Sequence, residues 1–379
     1  MKNSIFAHDR LIHEGWWEAV LKDLLKKYGR PWTVIFTLFS IEYSLNWYPV
    51  ITVFPKRINK LFVKSKQSRW KIIQFLFDYR NSMLFYPLLI RILRRKMRTH
   101  IKQQPASCDL IVSSFACMKN ILNSSLSHHL EESILYLHSP MQYIWANYEE
   151  YSKKLTWIKK ILFMLCSPLL RKRDLIERSY TSIYANSFYT AWYAQKLYSY
   201  KNIIVQYPSL DQRFIDTPPL KKPFSYYLFV WRVVKYVREL DRIIDVCNDL
   251  AVPLLIMWWW PDKDELMLRA WPTITFLWHI TNVEEKITII KQAKWLINLA
   301  KESCGIATME ALALWVPVLW YNAWWTKELI TDSHLWILLD NKDHHTIMDG
   351  WKQLEKTQYN KAHIKETFLD YYQSVGSIM

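Results

Sequence analysis

Short runs of strand-forming residues alternate with amphipathic helical segments through the second half of the chain. Strands and helices that alternate at this spacing are typical of parallel βαβ units. The pattern therefore predicts a doubly wound α/β domain over residues 224–360. Its predicted strands are 226–230, 252–257, 273–277, 295–299 and 316–320, and its predicted helices are 238–250, 262–270, 283–294 and 306–314.

The first half predicts a second domain of the same class over residues 1–207. Together the two halves predict an α/β protein with two Rossmann-like, doubly wound domains that face a cleft. The predicted elements are a turn at 14–17, helices at 18–28 and 188–198, and strands near 5–7 and at 33–39, 109–115, 133–138, 182–187 and 202–208.

Three further segments complete the predicted organisation. The stretch "PSLDQRFIDTPPLKKP" (208–223) is rich in proline and without periodicity, so it is predicted to be a linker. Residues 361–379 are predicted to form a carboxyl-terminal helix that packs back on the first domain. Residues from about 40 to 105 are interpreted as a basic insertion.

The composition is that of a folded protein with room for two domains. The chain has 379 residues, of which 51% are hydrophobic. The start "MKNSIFAHDRLIHEG" carries charges where a signal peptide needs an apolar stretch, so none is expected. The five cysteines are scattered without a C-x-x-C pair, which favours a reducing cytoplasm. The pairs His128–His129 and His344–His345 lack further ligands at metal spacing, so no metal is expected.

The positive charge is concentrated in one segment. Residues 56–102 hold 14 Lys and Arg against one acid, Asp78, which is a net +13 of the total +16. No uninterrupted apolar run is long enough to span a bilayer. We interpret the segment as a basic amphipathic surface against anionic lipid, which predicts a cytoplasmic protein held peripherally at the inner face of the cytoplasmic membrane. A solvated helix face and, less favoured, a nucleic-acid-binding surface are the alternatives.

Glycine and tryptophan occur at unusual frequencies. The chain has 5 glycines and 21 tryptophans, whereas glycine alone makes up about 7% of an average chain. The two counts sum to 26 of 379 residues, which is the ordinary share of glycine. We therefore hypothesise that many tryptophans occupy glycine positions.

The loops at the carboxyl ends of the second-half strands test this hypothesis, because open α/β sheets bind ligands there. They read "FVWRVVKYVREL" (229–240), "MWWWPD" (257–262), "FLWHI" (276–280), "AKESCGIATMEALALWVPVL" (300–319) and "YNAWWTKEL" (321–329). With glycine in place of tryptophan, the set resembles the nucleotide-sugar domain of family 4 retaining glycosyltransferases, which have the GT-B fold. That family's two glutamates, separated by seven residues, match Glu302 and Glu310.

Two stretches of the first half extend the resemblance. "HEGWWEAVL" (13–21) is similar to the family's amino-terminal Gly-Gly-x-Glu loop once Trp16 and Trp17 are read as glycine. "LHSPMQYIWANYEEY" (137–151) resembles a stretch of a branch that includes O-antigen mannosyltransferases, in which Trp145 matches a tryptophan of the branch itself. The resemblance covers nearly the whole chain and is weakest over residues 40–105.

We hypothesise that a codon reassignment accounts for tryptophan at the family's glycine positions. Some bacterial lineages read UGA as glycine, whereas a common alternative table reads it as tryptophan, so translation with the wrong table produces this pattern. Glycine at such turns permits positive φ and lets backbone N–H groups approach a diphosphate. A tryptophan-rich protein is the alternative. The positions concerned include 16, 17, 231, 258 or 260, 271, 278, 315, 324, 325 and 336.

The resemblance implies roles for individual residues. Glu310 would accept hydrogen bonds from the donor's ribose hydroxyls, and Glu302 would contact the sugar ring. His138 would touch the transferred sugar, with a buried structural histidine as the alternative. Arg232 would clamp the diphosphate and stabilise the charge on the leaving group. The implied catalytic residues are His138, Glu302 and Arg232.

The second cation of the donor site departs from the family pattern. The family's lysine, five residues after the arginine, is replaced by Val237, and either Lys235 or Arg238 takes its place. Glu328 caps the adjacent helix or binds the sugar. The full predicted donor-binding set is Gly15, Trp16, Arg232, Lys235, Arg238, Glu302, Gly305, Glu310 and Glu328.

The resemblance implies a retaining glycosyltransferase that moves a sugar, with mannose favoured, from a nucleoside-diphosphate sugar to a saccharide or lipid-linked saccharide in cell-surface polysaccharide synthesis. GDP-mannose is favoured over UDP-sugars as the donor. No cofactor is expected, because cations and helix amino termini neutralise the diphosphate in this fold. The alternative is a non-catalytic module that retains the GT-B fold and binds a membrane or nucleic acid.

Overall fold

The chain divides into two compact units. The first comprises Met1–Ser209 together with Ile378–Met379, and the second comprises Leu210–Ser377. The computed structural model describes residues 3–12, 15–64, 82, 85–104, 107–155, 157–176, 178–220, 225–230, 239–257, 263–277, 280, 282–328, 336–357 and 360–378.

Within these ranges, the first unit is built on a sheet of eight strands. They are β1 (Asn3–Leu11), β2 (Val34–Ser40), β3 (Ser44–Leu45), β4 (Tyr48–Thr52), β5 (Cys108–Ser114), β6 (Leu130–Leu137), β7 (Ser182–Ala185) and β8 (Ile204–Val205). Their order is β3-β4-β2-β1-β5-β6-β7-β8, and every pairing is parallel except that of β3 with β4. The strand order reverses between β1 and β5, so the carboxyl ends of these two strands form the switch point where doubly wound sheets bind ligands.

Helices bury both faces of this sheet. Successive residues of β1 point to opposite faces, with Ile5 and Ala7 in one core cluster and Phe6 in the other. Burial on both faces is typical of parallel sheets. The helices are α1 (Trp16–Tyr28), α2 (Lys56–Lys64), α3 (Tyr86–Lys102), α4 (Ser124–Ser127), α5 (Tyr148–Lys154), α6 (Trp157–Asp174) and α7 (Phe188–Tyr198).

The second unit has a sheet of six parallel strands in the part of the chain that is described. They are β9 (Tyr226–Val230), β10 (Leu254–Met257), β11 (Ile274–Leu277), β12 (Ala293–Asn298), β13 (Val318–Tyr321) and β14 (Trp336–Leu339). The order β11-β10-β9-β12-β13-β14 reverses between β9 and β12, which is the Rossmann arrangement. The helices are α8 (Gln212–Asp216), α9 (Leu240–Asp249), α10 (Lys263–Arg269), α11 (Val283–Lys291), α12 (Ile306–Ala313), α13 (His344–Lys356) and α14 (Lys361–Val375).

Several helices begin where a polar side chain caps the first turn. The side chains of Ser187, Asp343 and Asn360 each accept a hydrogen bond from the backbone N–H three residues later. Asn282 does the same for two N–H groups of α11. Such caps satisfy backbone donors that have no partner inside the helix. The predicted fold class, an α/β protein with two Rossmann-like doubly wound domains, is confirmed.

The segment interpreted as a basic insertion is part of the first domain. β4 pairs in parallel with β2, with Ile35 opposite Val50, and α3 packs on the same sheet. This strand was not predicted, and its sequence YPVIT carries a proline, which argues against a strand. Residues 65–81, the middle of the segment, lie outside the described residues.

The boundary between the units falls at Ser209 and Leu210, inside the predicted linker. Residues 212–216 form α8, and Phe214 is buried, so this part of the predicted linker belongs to the second unit. The last helix also differs from its prediction, because α14 packs on α12 of the second unit. The end of the chain joins the first unit, where Ile378 is buried in the core.

Besides β3 and β4, two strands differ from the predicted pattern. The predicted strand at 202–208 is reduced to the two residues of β8, and β14 was not predicted. β14 lies at the edge of the second sheet and pairs with β13. Across the described ranges, no helix combines the length and the apolar character that a bilayer crossing requires.

Candidate active site

The loop that follows β12 lies at the switch point of the second sheet and holds Glu302. Asn298, the last residue of β12, donates from Nδ2 to Glu302 Oε2 (2.9 Å) and to Thr308 Oγ1 (3.0 Å). Its Oδ1 accepts from the backbone N–H of Ala300 (3.0 Å). One amide therefore connects the strand end, the loop and the first turn of α12. The side chain of Glu302 is buried, so its carboxylate is held in a fixed position.

Gly305 precedes α12 and lies against Trp325. A Cβ atom at Gly305 would lie 2.5 Å from Cζ3 of Trp325 and 2.7 Å from Oε2 of Glu302, so no larger residue fits without displacement. Trp325 is fully buried, and its Nε1 has no hydrogen-bond partner among the described residues. The indole therefore occupies the space beside Gly305 and Glu302, which the sequence predicts to be part of the donor site.

Glu310 lies in α12 with one carboxylate oxygen paired and the other unsatisfied. Its Oε1 accepts a hydrogen bond from Nζ of Lys286 on α11 (2.7 Å), and both side chains are largely buried. Its Oε2 is buried and has no partner within the described part of the chain. Burial raises the pKa of Glu310, while the Lys286 ammonium opposes that shift. Because an unmatched buried acceptor costs free energy, this oxygen is suited to a ligand hydroxyl.

Glu328 lies close to the same loop. Burial, followed by the charges of Glu328 and Glu302, raises the pKa of the Cys304 thiol well above its ordinary value. Glu328 directly follows the 3-10 turn Trp324–Lys327, and its N–H donates to the carbonyl oxygen of Trp325 (2.9 Å). Of the predicted donor-site residues, the structure thus gathers Glu302, Gly305 and Glu328 around one loop.

The predicted cations of the donor site cannot be placed beside these carboxylates. Arg232, Lys235 and Arg238 lie outside the described residues. The same holds for the tryptophans at 231, 258, 260 and 278. Their proposed roles therefore stay predictions.

His138 of the first unit takes part in a buried polar chain with two partners that the sequence did not indicate. Nε2 of His138 lies 2.8 Å from Oγ of Ser113, which lies 3.0 Å from Nδ1 of His8. His8 and Ser113 are opposite each other on β1 and β5, and all three side chains are buried. Nε2 of His8 has no partner in the described ranges. The role of His138 at the transferred sugar stays a prediction.

Acid will destabilise the first unit through its buried histidines. Burial is the main cause that lowers the pKa of His8 from 6.5 to about 3, and it also lowers the pKa of His138. Both rings are therefore neutral in the folded state, and this contribution to stability is complete above pH 6.5. As the pH falls below 6.5, we expect the free energy of unfolding to drop by about 1.4 kcal/mol per pH unit for each histidine.

Urea unfolding of the full chain between pH 7 and pH 4 measures this slope. His8→Asn keeps a donor for Ser113 and removes one titrating ring, so it should make the slope shallower. The matched control is His345→Asn, because the side chain of His345 is 86% exposed. An equal slope in the parent and in His8→Asn would show that His8 does not resist protonation.

Asp9 organises the loop after β5. Its carboxylate accepts hydrogen bonds from the four consecutive backbone N–H groups of residues 115–118, at 2.7–3.0 Å. Burial raises the pKa of Asp9, and the four N–H donors favour its charged form. The carboxylate thereby fixes the loop at the carboxyl end of the strand that carries Ser113.

The amino-terminal loop places Gly15 directly before α1. Gly15 is the N-cap of that helix in an extended conformation, and Trp16 is its first residue. The ring of Trp17 stacks on Phe115 with centroids 3.7 Å apart, and the guanidinium of Arg10 lies over Phe115 at 5.0 Å. This loop therefore meets the loop after β5 at the switch point of the first sheet, as the sheet order requires.

Two tryptophans adopt a left-handed backbone that favours glycine. Trp315 (φ 58°) occupies the C′ position of a Schellman motif, in which its N–H donates to Leu312 and the N–H of Val316 donates to Ala311. Trp47 (φ 73°) follows Asn46 (φ 48°) in the two-residue turn between β3 and β4, where Asn-Gly is the usual pair. Trp47 is 99% exposed, so no packing offsets the strain. Such a backbone costs a non-glycine residue about 1–2 kcal/mol.

Sequence reasoning identified Trp315 and missed Trp47, although the pair Asn46-Trp47 was a usable signal. It also missed Lys286, Asn298 and Ser113, whose partners lie on other elements. No group of three or more His, Cys, Asp or Glu side chains able to hold a metal occurs among the residues that are described.

The architecture and the loops at the two switch points define a two-domain GT-B fold, and solved structures show the same fold. HepE from Anabaena in complex with UDP has a TM-score of 0.67 at 12% identity, over 99% of this chain and 96% of that chain. WaaG, a glycosyltransferase involved in lipopolysaccharide biosynthesis, has a TM-score of 0.61 at 13% identity, over 98% and 94%.

A glycosyltransferase from Rickettsia africae ESF-5 also matches, with a TM-score of 0.60 at 10% identity over 98% of this chain and 94% of that chain. No model of a protein family and no curated protein matches the chain. At identities this low the likeness establishes the fold alone.

Proposed function

We propose that the chain is a retaining glycosyltransferase that moves a sugar from a nucleoside-diphosphate sugar to a saccharide or lipid-linked saccharide. The observation that carries the proposal is the buried, unpartnered Oε2 of Glu310, beside the switch point of a GT-B fold. A buried carboxylate oxygen without a donor is suited to a hydroxyl of the bound nucleotide sugar. The solved GT-B structures include HepE with UDP and with UDP-glucose, which supports a nucleotide sugar as the donor.

The second unit would hold the donor. Glu310 accepts hydrogen bonds from the ribose hydroxyls, and Glu302, positioned by Asn298, contacts the sugar ring. The diphosphate lies at the amino terminus of α12, which begins after Gly305 and has no side-chain cap. Arg232 and either Lys235 or Arg238 complete the neutralisation of its charge.

The first unit would hold the acceptor. His138 contacts the transferred sugar, and the loop with Gly15 and Trp16 contributes to donor binding. The acceptor hydroxyl attacks on the face from which the nucleotide departs, and the leaving phosphate assists by accepting its proton. Charge that grows on the phosphate in the transition state is stabilised by the cations and by backbone N–H groups. No step requires a metal.

Mannose is the proposed sugar, and GDP-mannose is favoured over UDP-sugars. The support is the stretch from His138 to Trp145, which resembles the branch with O-antigen mannosyltransferases. The proposed acceptor is a lipid-linked saccharide of cell-surface polysaccharide synthesis, at the inner face of the cytoplasmic membrane. WaaG, with the same fold, is involved in lipopolysaccharide biosynthesis.

Catalysis further requires glycine at many of the tryptophan positions. A cell that translates UGA as glycine would produce such a chain. We name the chain with glycine at 16, 17, 47, 231, 258, 260, 271, 278, 315, 324, 325 and 336 the glycine form, and the chain as printed the tryptophan form. Three observations support the glycine form: the left-handed backbone of Trp47, the left-handed backbone of Trp315, and the indole of Trp325 against Gly305, which belongs to the proposed donor site.

A non-catalytic module with the GT-B fold is the competing function. The obstruction beside Gly305 by Trp325 favours it for the tryptophan form, because a filled donor site binds no nucleotide sugar. The replacement of the family lysine by Val237 is further support.

Donor turnover by the glycine form tests the proposal. The purified protein is incubated with GDP-mannose or UDP-glucose and an acceptor extract, and the release of nucleoside diphosphate is measured. We expect release from GDP-mannose to exceed release from UDP-glucose, and NMR of the product to show the anomeric configuration of the donor. A folded glycine form that releases neither nucleotide would favour the non-catalytic module.

A further inference from the structure

We propose that helix α6 of the first unit inserts its outer face into the surface of an anionic lipid bilayer. This helix is apolar on two sides. Its inner side contributes Phe163 and Leu170 to the core of the first unit. Its outer side exposes six large apolar side chains, namely Trp157, Ile161, Leu162, Met164, Leu165 and Leu169.

Large apolar side chains are rarely this exposed to solvent. Trp157 is 73% exposed and Leu165 is 71% exposed, although such residues are normally buried. Leu175 and Ile176, which directly follow the helix, are exposed as well. An apolar surface of this extent marks an interaction site.

Basic residues stand at both ends of the apolar row. Lys159 and Lys160 lie in the first turn of the helix, and exposed Lys172 and Arg173 lie in its last turn, whereas residues 157–173 contain no acid. The acid that ends the helix, Asp174, is buried and forms an ion pair with Lys119 (3.4 Å). An apolar row flanked by cations is the pattern of a helix that lies in the membrane interface.

The basic helix α3 is anchored beside the end of α6. The guanidinium of Arg94 on α3 donates to the carbonyl oxygens of Asn120 and Ile121. In the same turn, Nδ2 of Asn120 lies 3.4 Å from a carboxylate oxygen of Asp174 at the end of α6. The cationic side chains of α3, including exposed Arg91 and Arg95, therefore add to the positive field around the apolar row.

The apolar row and the cations around it together favour a lipid bilayer as the partner. A nucleic acid would use the cations and leave a row of aliphatic side chains in water. A partner protein would cover the row, but it would not account for the excess of positive charge in the same unit. An anionic leaflet uses both, because headgroups attract the cations and the acyl boundary accepts the apolar side chains. The inference does not rest on the transferase activity.

Vesicle flotation of the full chain tests the inference. Binding is measured with vesicles of phosphatidylcholine and with equimolar phosphatidylcholine and phosphatidylglycerol, without any nucleotide sugar. We expect binding to the anionic vesicles alone, weakened by salt, and a partition coefficient at least about tenfold lower in the double variant Ile161→Glu/Leu165→Glu. Both side chains are exposed, so the variant should fold, which circular dichroism verifies.

The matched control carries the same charge change on exposed apolar residues of α10, Met267→Glu/Leu268→Glu. Its partition should stay within about twofold of the parent value. Equal losses in both double variants would overturn the inference, since the effect would then be one of net charge. A second result would also overturn it. In that result the chain binds duplex DNA as strongly as anionic vesicles, and Ile161→Glu/Leu165→Glu does not weaken the DNA binding. The inference would also be overturned if the parent chain bound no vesicles but formed a dimer that Ile161→Glu/Leu165→Glu dissociates.

Discussion

Changing Trp315, Trp324 and Trp325 to glycine in the tryptophan form should create nucleotide binding where there was none. Isothermal titration calorimetry with GDP and with UDP should detect no binding to the parent chain. The triple variant should bind at least one of them, with a Kd of about 10 μM to 1 mM. The physical reason is steric, because the indole of Trp325 fills the space beside Gly305 and Glu302.

The control is Trp145→Gly, which removes a tryptophan that the family branch itself carries. Nε1 of Trp145 donates to Oδ2 of buried Asp174 (2.7 Å), and the guanidinium of Arg171 lies over its ring. This variant should lower the free energy of unfolding by about 1–3 kcal/mol and create no nucleotide binding. A triple variant that folds and still binds neither nucleotide would show that tryptophan is not what closes the site.

The native residues can be read from peptide masses. The tryptic peptide Glu302–Lys327, isolated from the cell of origin, contains tryptophan positions 315, 320, 324 and 325. Tandem mass spectrometry should find glycine at 315, 324 and 325. Tryptophan at all four positions would refute the codon reassignment and leave the donor site obstructed.

Glu310→Ala in the glycine form should lower kcat/KM for the nucleotide sugar by about 10- to 100-fold. A hydrogen bond to a charged group is worth about 1.5–3 kcal/mol, and Oε2 of Glu310 is the buried acceptor available for a donor hydroxyl. Steady-state kinetics with varied donor concentration measures the change. Glu310→Gln preserves volume and tests whether the charge is required.

The same substitution leaves Lys286 without its ion-pair partner, so a loss of stability has to be separated from a loss of function. Lys286→Met removes the ion pair and keeps the carboxylate, and it should affect stability more than kcat/KM. Glu355→Gln is the matched control, because Glu355 pairs with Lys294 in the same unit but is exposed. If kcat/KM falls no further in Glu310→Ala than in Lys286→Met, the role of Glu310 is structural.

Much of the fold was determined by local patterns in the sequence. The strands of the second unit from β9 to β13 lie within about two residues of their predicted ends, because their continuous apolar runs reflect burial on both faces of a parallel sheet. Helix starts at Ser187 and Asn282 follow from capping by neighbouring residues. Such signals are readable because the interacting groups are only a few residues apart.

The site was predictable in part. The spacing of Glu302 and Glu310 placed them in one strand-loop-helix unit, and the glycine pattern singled out Trp315 and Trp325. The strands β4 and β14 were not predicted, because Pro49 interrupts the first and the second is only four residues long.

Contacts between residues that are distant in the sequence were decided by the tertiary structure alone. Lys286 meets Glu310 across 24 residues, and His8 meets Ser113 across 105. The sequence by itself determined which residues are apolar, which can cap, and which glutamates share a loop. The unsatisfied oxygen of Glu310 emerged only from the packed structure, because hydrogen-bond satisfaction depends on the partners that packing brings together.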